Sequence, residues 1–164
     1  MDVVAWLLEG DPAVRWQALR DLTDATPAEV AEARARVAGD GLGAQLLSRQ
    51  HADGAWHRGD DDATWYPTLH ALLLLRATGV DPTDARVATA LRRLDDGFRW
   101  APEFGSGRFF AGEVEPCING GVLALGAYFG HADAALVAHL LADQLPDGGW
   151  NCDAPKSTCG SFHS

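Results

Sequence analysis

The sequence predicts an all-α fold built from helical hairpins, and three observations lead there. One eleven-residue pattern occurs twice. Leu46-Leu47-x-x-Gln50-x-x-Asp53-Gly54-x-Trp56 returns as Leu140-Leu141-x-x-Gln144-x-x-Asp147-Gly148-x-Trp150, with Trp150 lying 94 residues after Trp56. Each copy reads as the end of an apolar helix, a tight Asp-Gly turn and a large indole. Second, apolar residues recur at helical spacing between Asp-Pro or Thr-Pro starts and glycine stops. Third, no stretch sustains the period-two alternation of a half-buried strand.

The elements follow in order. Asp11-Pro12 is an N-cap with proline at the first helical position, and Val14, Trp16, Leu19 and Leu22 supply an apolar face. Thr26-Pro27-Ala28-Glu29 repeats the start with a capping-box glutamate. A short helix over residues 41–50 runs into the first turn. Pro67 to Thr78 is strongly apolar and ends at Gly79. Asp81-Pro82 opens the next helix, which runs to Asp96-Gly97. Pro116 to Phe129 stops at Gly130, and residues 132–144 form the last complete helix. Asp95-Asp96-Gly97-Phe98-Arg99-Trp100 reads as a degenerate middle turn. The glycines and aromatics of residues 100–112, Phe104, Phe109 and Phe110 among them, predict an ordered, packed loop.

The turn chemistry is legible. Gly54 and Gly148 supply a positive φ, and Asp53 and Asp147 hold nearby amides. The glutamine is expected to bridge to free backbone groups at the next helix start, with the tryptophan stacked on it.

Composition sets the frame. With 164 residues, 47% of them hydrophobic, the chain can bury a sizeable core. A formal net charge of −10 argues against nucleic acid and anionic membrane surfaces, which need a basic footprint. Three cysteines and a start without a cationic signal region predict a reducing, cytoplasmic setting. The longest apolar run, Leu69 to Leu75, is interrupted by His70 and is far too short to span a bilayer, so the chain is not expected to be an integral membrane protein.

The repeated Gln-x-x-Asp-Gly-x-Trp resembles the QW motif of the squalene cyclase and protein prenyltransferase superfamily, over about residues 40 to 164. The resemblance implies hairpins arranged as an α/α toroid. About three hairpins of some 47 to 50 residues can be read, fewer than closure requires, so residues 41–164 are expected to be a partial toroid, truncated at the start of a further helix. Self-association or a missing second half would then cover its open face, and the half alone is expected to be inactive. Residues 1–40 are similar to a HEAT-type repeat helix and are read as an N-terminal helical extension; any capped amphipathic helix would look alike.

Helix starts at Pro67 and Pro116 are 49 residues apart, and Cys117 and His163 are 46 apart. Equivalent helix starts would bring Glu115, Cys117 and His163 to one end of a cavity, a donor set suited to zinc. The resemblance sharpens this expectation. In prenyltransferase β subunits an Asp-x-Cys pair and a later histidine hold zinc. Glu115-x-Cys117 matches the pair with glutamate in place of aspartate, and His163 has the aromatic-His-Ser setting. The bland alternative makes Glu115 a helix cap, Cys117 a buried small residue and His163 a satisfied polar group. Cys152 and Cys159, spaced C-x6-C, read as ordinary thiols.

Asp60-x-Asp62-Ala63-Thr64 partly resembles the DxDDTA acid motif of triterpene cyclases. Asp62 is thereby a weak catalytic candidate, against the plainer reading of an acidic helix cap. Trp65, Tyr66 and Tyr128 are candidate cavity aromatics for carbocation contact, with core packing as the alternative. His57 and Arg58 read as a solvated loop, and His70 as a satisfied core residue. The function expected is that of a terpenoid cyclase- or prenyltransferase-like protein acting on an isoprenoid through a zinc–thiolate site. The alternative is a non-enzymatic helical scaffold that binds a protein partner.

Overall fold

The computed structural model describes residues 2–57, 65–154, 156 and 160–161. Among them the chain is all-α, as expected. The helices are α1 (Val3–Leu8), α2 (Pro12–Leu22), α3 (Pro27–Ala35), α4 (Gly41–Ser48), α5 (Trp65–Thr78), α6 (Ala85–Gly97), α7 (Pro116–Phe129) and α8 (Ala134–Ala142). Short 3₁₀ turns lie at Arg36–Ala38, Pro102–Phe104 and Phe109–Ala111. Extended pairing among the described residues is limited to one backbone bridge between Arg99 and Arg108. Among the described residues no helix is long and apolar enough to cross a membrane.

The predicted caps form. Asp11 accepts the Ala13 N–H at 2.8 Å at the start of α2, and its second carboxylate oxygen accepts the Leu42 N–H of α4, also at 2.8 Å. One side chain thus satisfies orphan donors of two helices. Thr26 and Glu29 close the capping box of α3. α6 starts later than Asp81-Pro82 suggested. Asp81 closes a local turn by accepting from the Thr83 N–H, and Asp84 takes up the Arg86 N–H beside the true helix start.

The chain divides into two compact units, Met1–Leu91 and Arg92–Ser164. In the first, α2 packs against α1, α3 and α4, and α4 packs against α5. The buried face of α2 differs from the predicted one. Ala13, Trp16 and Ala18 are inside, while Val14 and Leu22 are exposed. Small residues around one indole allow close helix approach, so size rather than hydropathy chose the face. Trp16 donates its Nε1–H to the Thr78 carbonyl at the end of α5, at 2.7 Å. Arg20 and Arg34 lie over its ring, 4.7 Å and 5.5 Å from the centroid. Arg34 also donates through Nε to the Gly79 carbonyl at 2.8 Å. Gly79, at φ +85°, passes so close under the indole that a Cβ would collide with it. Trp16, Leu47, Trp56, Leu69, Leu72, Leu75 and Val87 belong to this unit's core.

In the second unit α7 packs against α8, and both lie against the Phe109–Ala111 turn. Phe109, fully buried, stacks on Trp100 at 5.5 Å and meets Phe98 and Phe110 edge-on. The loop is packed at Trp100, Phe109 and Phe110, as predicted, whereas Phe104 is exposed. The middle turn is not a relative of the outer two. Gly97 is still helical, and Trp100 donates forward to the Phe109 carbonyl at 3.2 Å instead of back to the preceding helix. Without a glutamine and an Asp-Gly turn at the right distance from a helix end, the indole finds a different carbonyl.

Candidate metal centre

The second repeated turn frames the site. Trp150 donates its Nε1–H to the Leu140 carbonyl in α8 at 2.7 Å, and Gln144 donates Nε2–H to the Gly148 carbonyl at 2.7 Å. The first turn repeats both bonds, from Trp56 to Leu46 at 2.8 Å and from Gln50 to Gly54 at 2.9 Å. The indole therefore acts by hydrogen bonding to a carbonyl in the last turn of the helix before it. Beyond its own turn, Gln50 also donates to the Arg86 carbonyl of α6 at 2.9 Å.

The N-terminus of α7 supplies the facing wall. Pro116 occupies the first helical position, and Glu115 is the N-cap residue but makes no side-chain capping bond. The backbone just before the helix is held by Glu113, 5% exposed, whose carboxylate accepts the Val114 N–H at 2.8 Å and the Glu115 N–H at 3.0 Å. Burial pushes the Glu113 carboxyl up, and those two N–H donors oppose the shift. Asn119, fully buried, closes a ring with the Glu113 backbone through two 2.7 Å bonds. The segment before α7 is thus fixed from inside, and Glu115 is left to face outward.

Three donors meet there. One ligand atom each from Glu115, Cys117 and Cys152 lie within 4.8 Å of one another, with Cys117 Sγ 3.9 Å from Glu115 Oε2. The Cys117 thiol is pushed up to about 12, first by desolvation and then by the Cys152 thiol beside it and the Glu115 charge. A bound cation would reverse this balance, since metals bind the thiolate. A tetrahedral zinc site with bonds of about 2.0–2.3 Å spaces its donors about 3.5–3.8 Å apart. The observed spacing needs only a small closure, so the residues fit such an ion. Cys117 and Cys152 border a cleft of about 620 Å³ lined also by Pro116, Gly120, Leu140, the Asp147–Trp150 turn and Ser161.

Of the predicted zinc ligands, the structure brings Glu115 and Cys117 together, while His163 lies outside the described residues. Cys152, expected to be an ordinary thiol, stands in the same cluster as Glu115 and Cys117. The C-x6-C test compared it with Cys159, outside the described residues, when its neighbour in space is 35 positions earlier. Asp62 and Arg58 also lie outside the described residues. Trp65 and Tyr66 pair edge-on at 5.5 Å, and Tyr66 packs on His70 at 4.1 Å. Tyr128 packs edge-on against Phe129 at 4.8 Å. None of these three aromatics lines the cleft. His70 is exposed, not in the core, with Nδ1 2.9 Å from the Tyr66 carbonyl. His57 sits 3.3 Å from the Asp53 carboxylate and edge-on to His51, inside the first turn's own network. Glu113 and Asn119 were missed; Asn119 inside an apolar helix was the available signal. Comparison with protein-family models, with curated proteins and with solved structures gives no match.

Proposed function

We propose that this protein is terpenoid cyclase- or prenyltransferase-like, acting on or binding an isoprenoid-type substrate, with its hairpins forming part of an α/α toroid. One observation carries the reading: the donor cluster and the second Gln-x-x-Asp-Gly-x-Trp turn meet at the same cleft. A zinc ion there would supply the charge that lowers a substrate thiol's pKa for attack on an allylic carbon. Glu115 and Cys117 would hold the ion through carboxylate and thiolate. Pro116, Leu140 and Trp150 give the cleft apolar walls that suit an isoprenoid chain.

The test is direct binding. A fluorescent farnesyl diphosphate analogue titrated into the protein should show saturable binding. Gly120 is at the cleft with open space where a Cβ would stand, so Gly120→Trp fills the cleft without a backbone clash. That variant should lose the binding while keeping its fold. Absence of saturable binding, or indifference to Gly120→Trp, overturns the reading. A second reading, a helical scaffold for a protein partner, is favoured by Trp6 and Val3, 60% and 64% exposed on α1. It predicts a protein that binds neither isoprenoid nor zinc.

A further inference from the structure

Cys152 plays no part in the zinc pattern that the sequence resembles, yet the fold delivers its thiol to Cys117. We propose that Cys152 is a metal ligand, and that Glu115, Cys117 and Cys152 together take Zn²⁺ as a carboxylate–dithiolate site with a further position open to the cleft. The inference rests on the zinc reading above for the metal; the identity of the third donor is separate from it.

Three features of the chain carry the assignment. The first is convergence: the donors come from the N-cap of α7, from its first turn, and from the segment just after the second repeated turn, and all three lie within 4.8 Å. The second is placement. Cys152 is bracketed by anchored residues, Trp150 tied to α8 through Leu140 and Asn151 buried at 4% exposure. Asn151 accepts the Asp153 N–H at 2.8 Å and donates Nδ2–H to the Gly160 carbonyl at 3.1 Å, which fixes the backbone on both sides of the thiol. A thiol on a segment held this firmly is pre-positioned, so binding need not order a loop first.

The third feature is availability. The Glu115 carboxylate makes no helix-capping bond and lies 3.9 Å from the Cys117 sulfur instead, on backbone that Glu113 holds in place. Pro116 between the two ligands holds φ and keeps them on one side of the helix start. The chemistry selects the ion class. Two thiolates and one carboxylate favour zinc over magnesium or calcium, which prefer all-oxygen shells. Each thiol releases its proton to solvent on binding, and the dithiolate–carboxylate set leaves the occupied site with one net negative charge.

The experiment uses the full chain, stripped of metal and titrated with Co²⁺ alone and with Zn²⁺ alone. The sulfur-to-cobalt charge-transfer band scales with the number of thiolates bound. The wild type should show a two-thiolate band at one equivalent. Cys152→Ser should halve the band and weaken Zn²⁺ binding at least tenfold, and Cys117→Ser should do the same. Cys152→His should keep tight Zn²⁺ binding with a one-thiolate band, a rescue that a merely structural thiol would not give. Cys159→Ser should leave both readouts unchanged. Thermal melts of the metal-free variants separate lost ligands from lost fold. A full band and full affinity in Cys152→Ser, with loss in His163→Ala or Cys159→Ser, overturns Cys152 as a ligand while the zinc reading survives. Absence of Co²⁺ and Zn²⁺ binding in the wild type overturns both.

Discussion

The two repeated turns share a hydrogen-bond diagram and differ in what surrounds them. In each, Gly at φ near +90° (89° and 88°) makes the corner, Asp accepts the N–H two residues on, Gln ties to the glycine carbonyl and Trp returns to the helix before it. Around the first, everything is filled. Trp56 is 6% exposed, its backbone N–H donates to the buried Thr68 hydroxyl of α5, and Gly54 lies against Thr89 of α6. Around the second, Gln144 is exposed, Trp150 is half-buried and the Cβ position of Gly148 meets nothing. The second turn borders the cleft instead. The motif encodes a corner, and its neighbours decide whether the corner serves as a core staple or as the wall of a site.

The comparison is broken or kept most directly by the two indoles. Trp56→Ala should cost about 3–5 kcal/mol, the usual range for a buried aromatic. Trp150→Ala should cost about 1–2 kcal/mol, for one hydrogen bond and part of an indole's burial. Urea titrations followed by circular dichroism give both numbers. Equal costs would mean that the turn itself, and not its surroundings, sets the stability.

Zinc should act on the second turn's side only. At 100 times its dissociation constant, Zn²⁺ stabilises a protein that binds it in the folded state alone by about 2.7 kcal/mol. Hydrogen exchange should place that gain at the start of α7 and around Cys152, and leave the amides near Trp56 unchanged. A gain spread evenly through both turns, or one that persists in Cys152→Ser, would sever the link between the cleft and the ion.

What the sequence carried was local. Caps at Asp11 and Thr26, proline at the first position of α2, α3 and α7, and the outer two Asp-Gly corners form, because each depends on residues within a few positions of one another; α5 begins before Pro67 and Asp96-Gly97 stays helical. Choices made across the fold were less legible. Trp16 finds the Thr78 carbonyl 62 residues away, and this contact turned α2 so that two alanines face inward while Val14 and Leu22 stay out. Two of the three donors were legible for the same reason. Glu115 and Cys117 flank one proline in the sequence, whereas Cys152 reaches them only through the packing of α7 against α8. Glu113 was hidden by its neighbour, since a glutamate directly before Pro116 is the more obvious cap.

The glycines sharpen the contrast at smaller cost. Both sit at a φ that a side chain adopts only with strain, worth about 1–2 kcal/mol. Gly54→Ala adds a collision, because its Cβ would stand 2.9 Å from the Thr89 methyl and 3.2 Å from the Thr89 backbone. A cost of about 2–3 kcal/mol is expected there, against about 1 kcal/mol for Gly148→Ala, whose Cβ meets open space. If the two substitutions cost the same, Thr89 yields freely and the first turn is less tightly packed than its contacts imply.

The smallest effect belongs to pH. Asp147 accepts the Ser161 N–H at 2.9 Å, the Ser161 hydroxyl at 3.0 Å and the Gly149 N–H at 3.2 Å. These bonds, the Ser161 backbone first, hold its carboxyl below the usual range. Because the folded value is lowered, the ionised turn's contribution is fully present above the unfolded carboxylate pKa of about 3.9 and fades as pH falls through the lowered folded value. The urea midpoint of the wild type should therefore decline on the acid side with a component that Asp147→Asn lacks. Ser161→Ala keeps the backbone donor and loses only the hydroxyl, so it should retain most of that component. The exposed carboxylate makes the difference modest, and salt should shrink little of it, since hydrogen bonds and not distant charges produce the shift. Superimposable acid limbs for the wild type and Asp147→Asn would show that Asp147 does not hold Ser161 against the turn in solution, and that wall of the cleft would then be open.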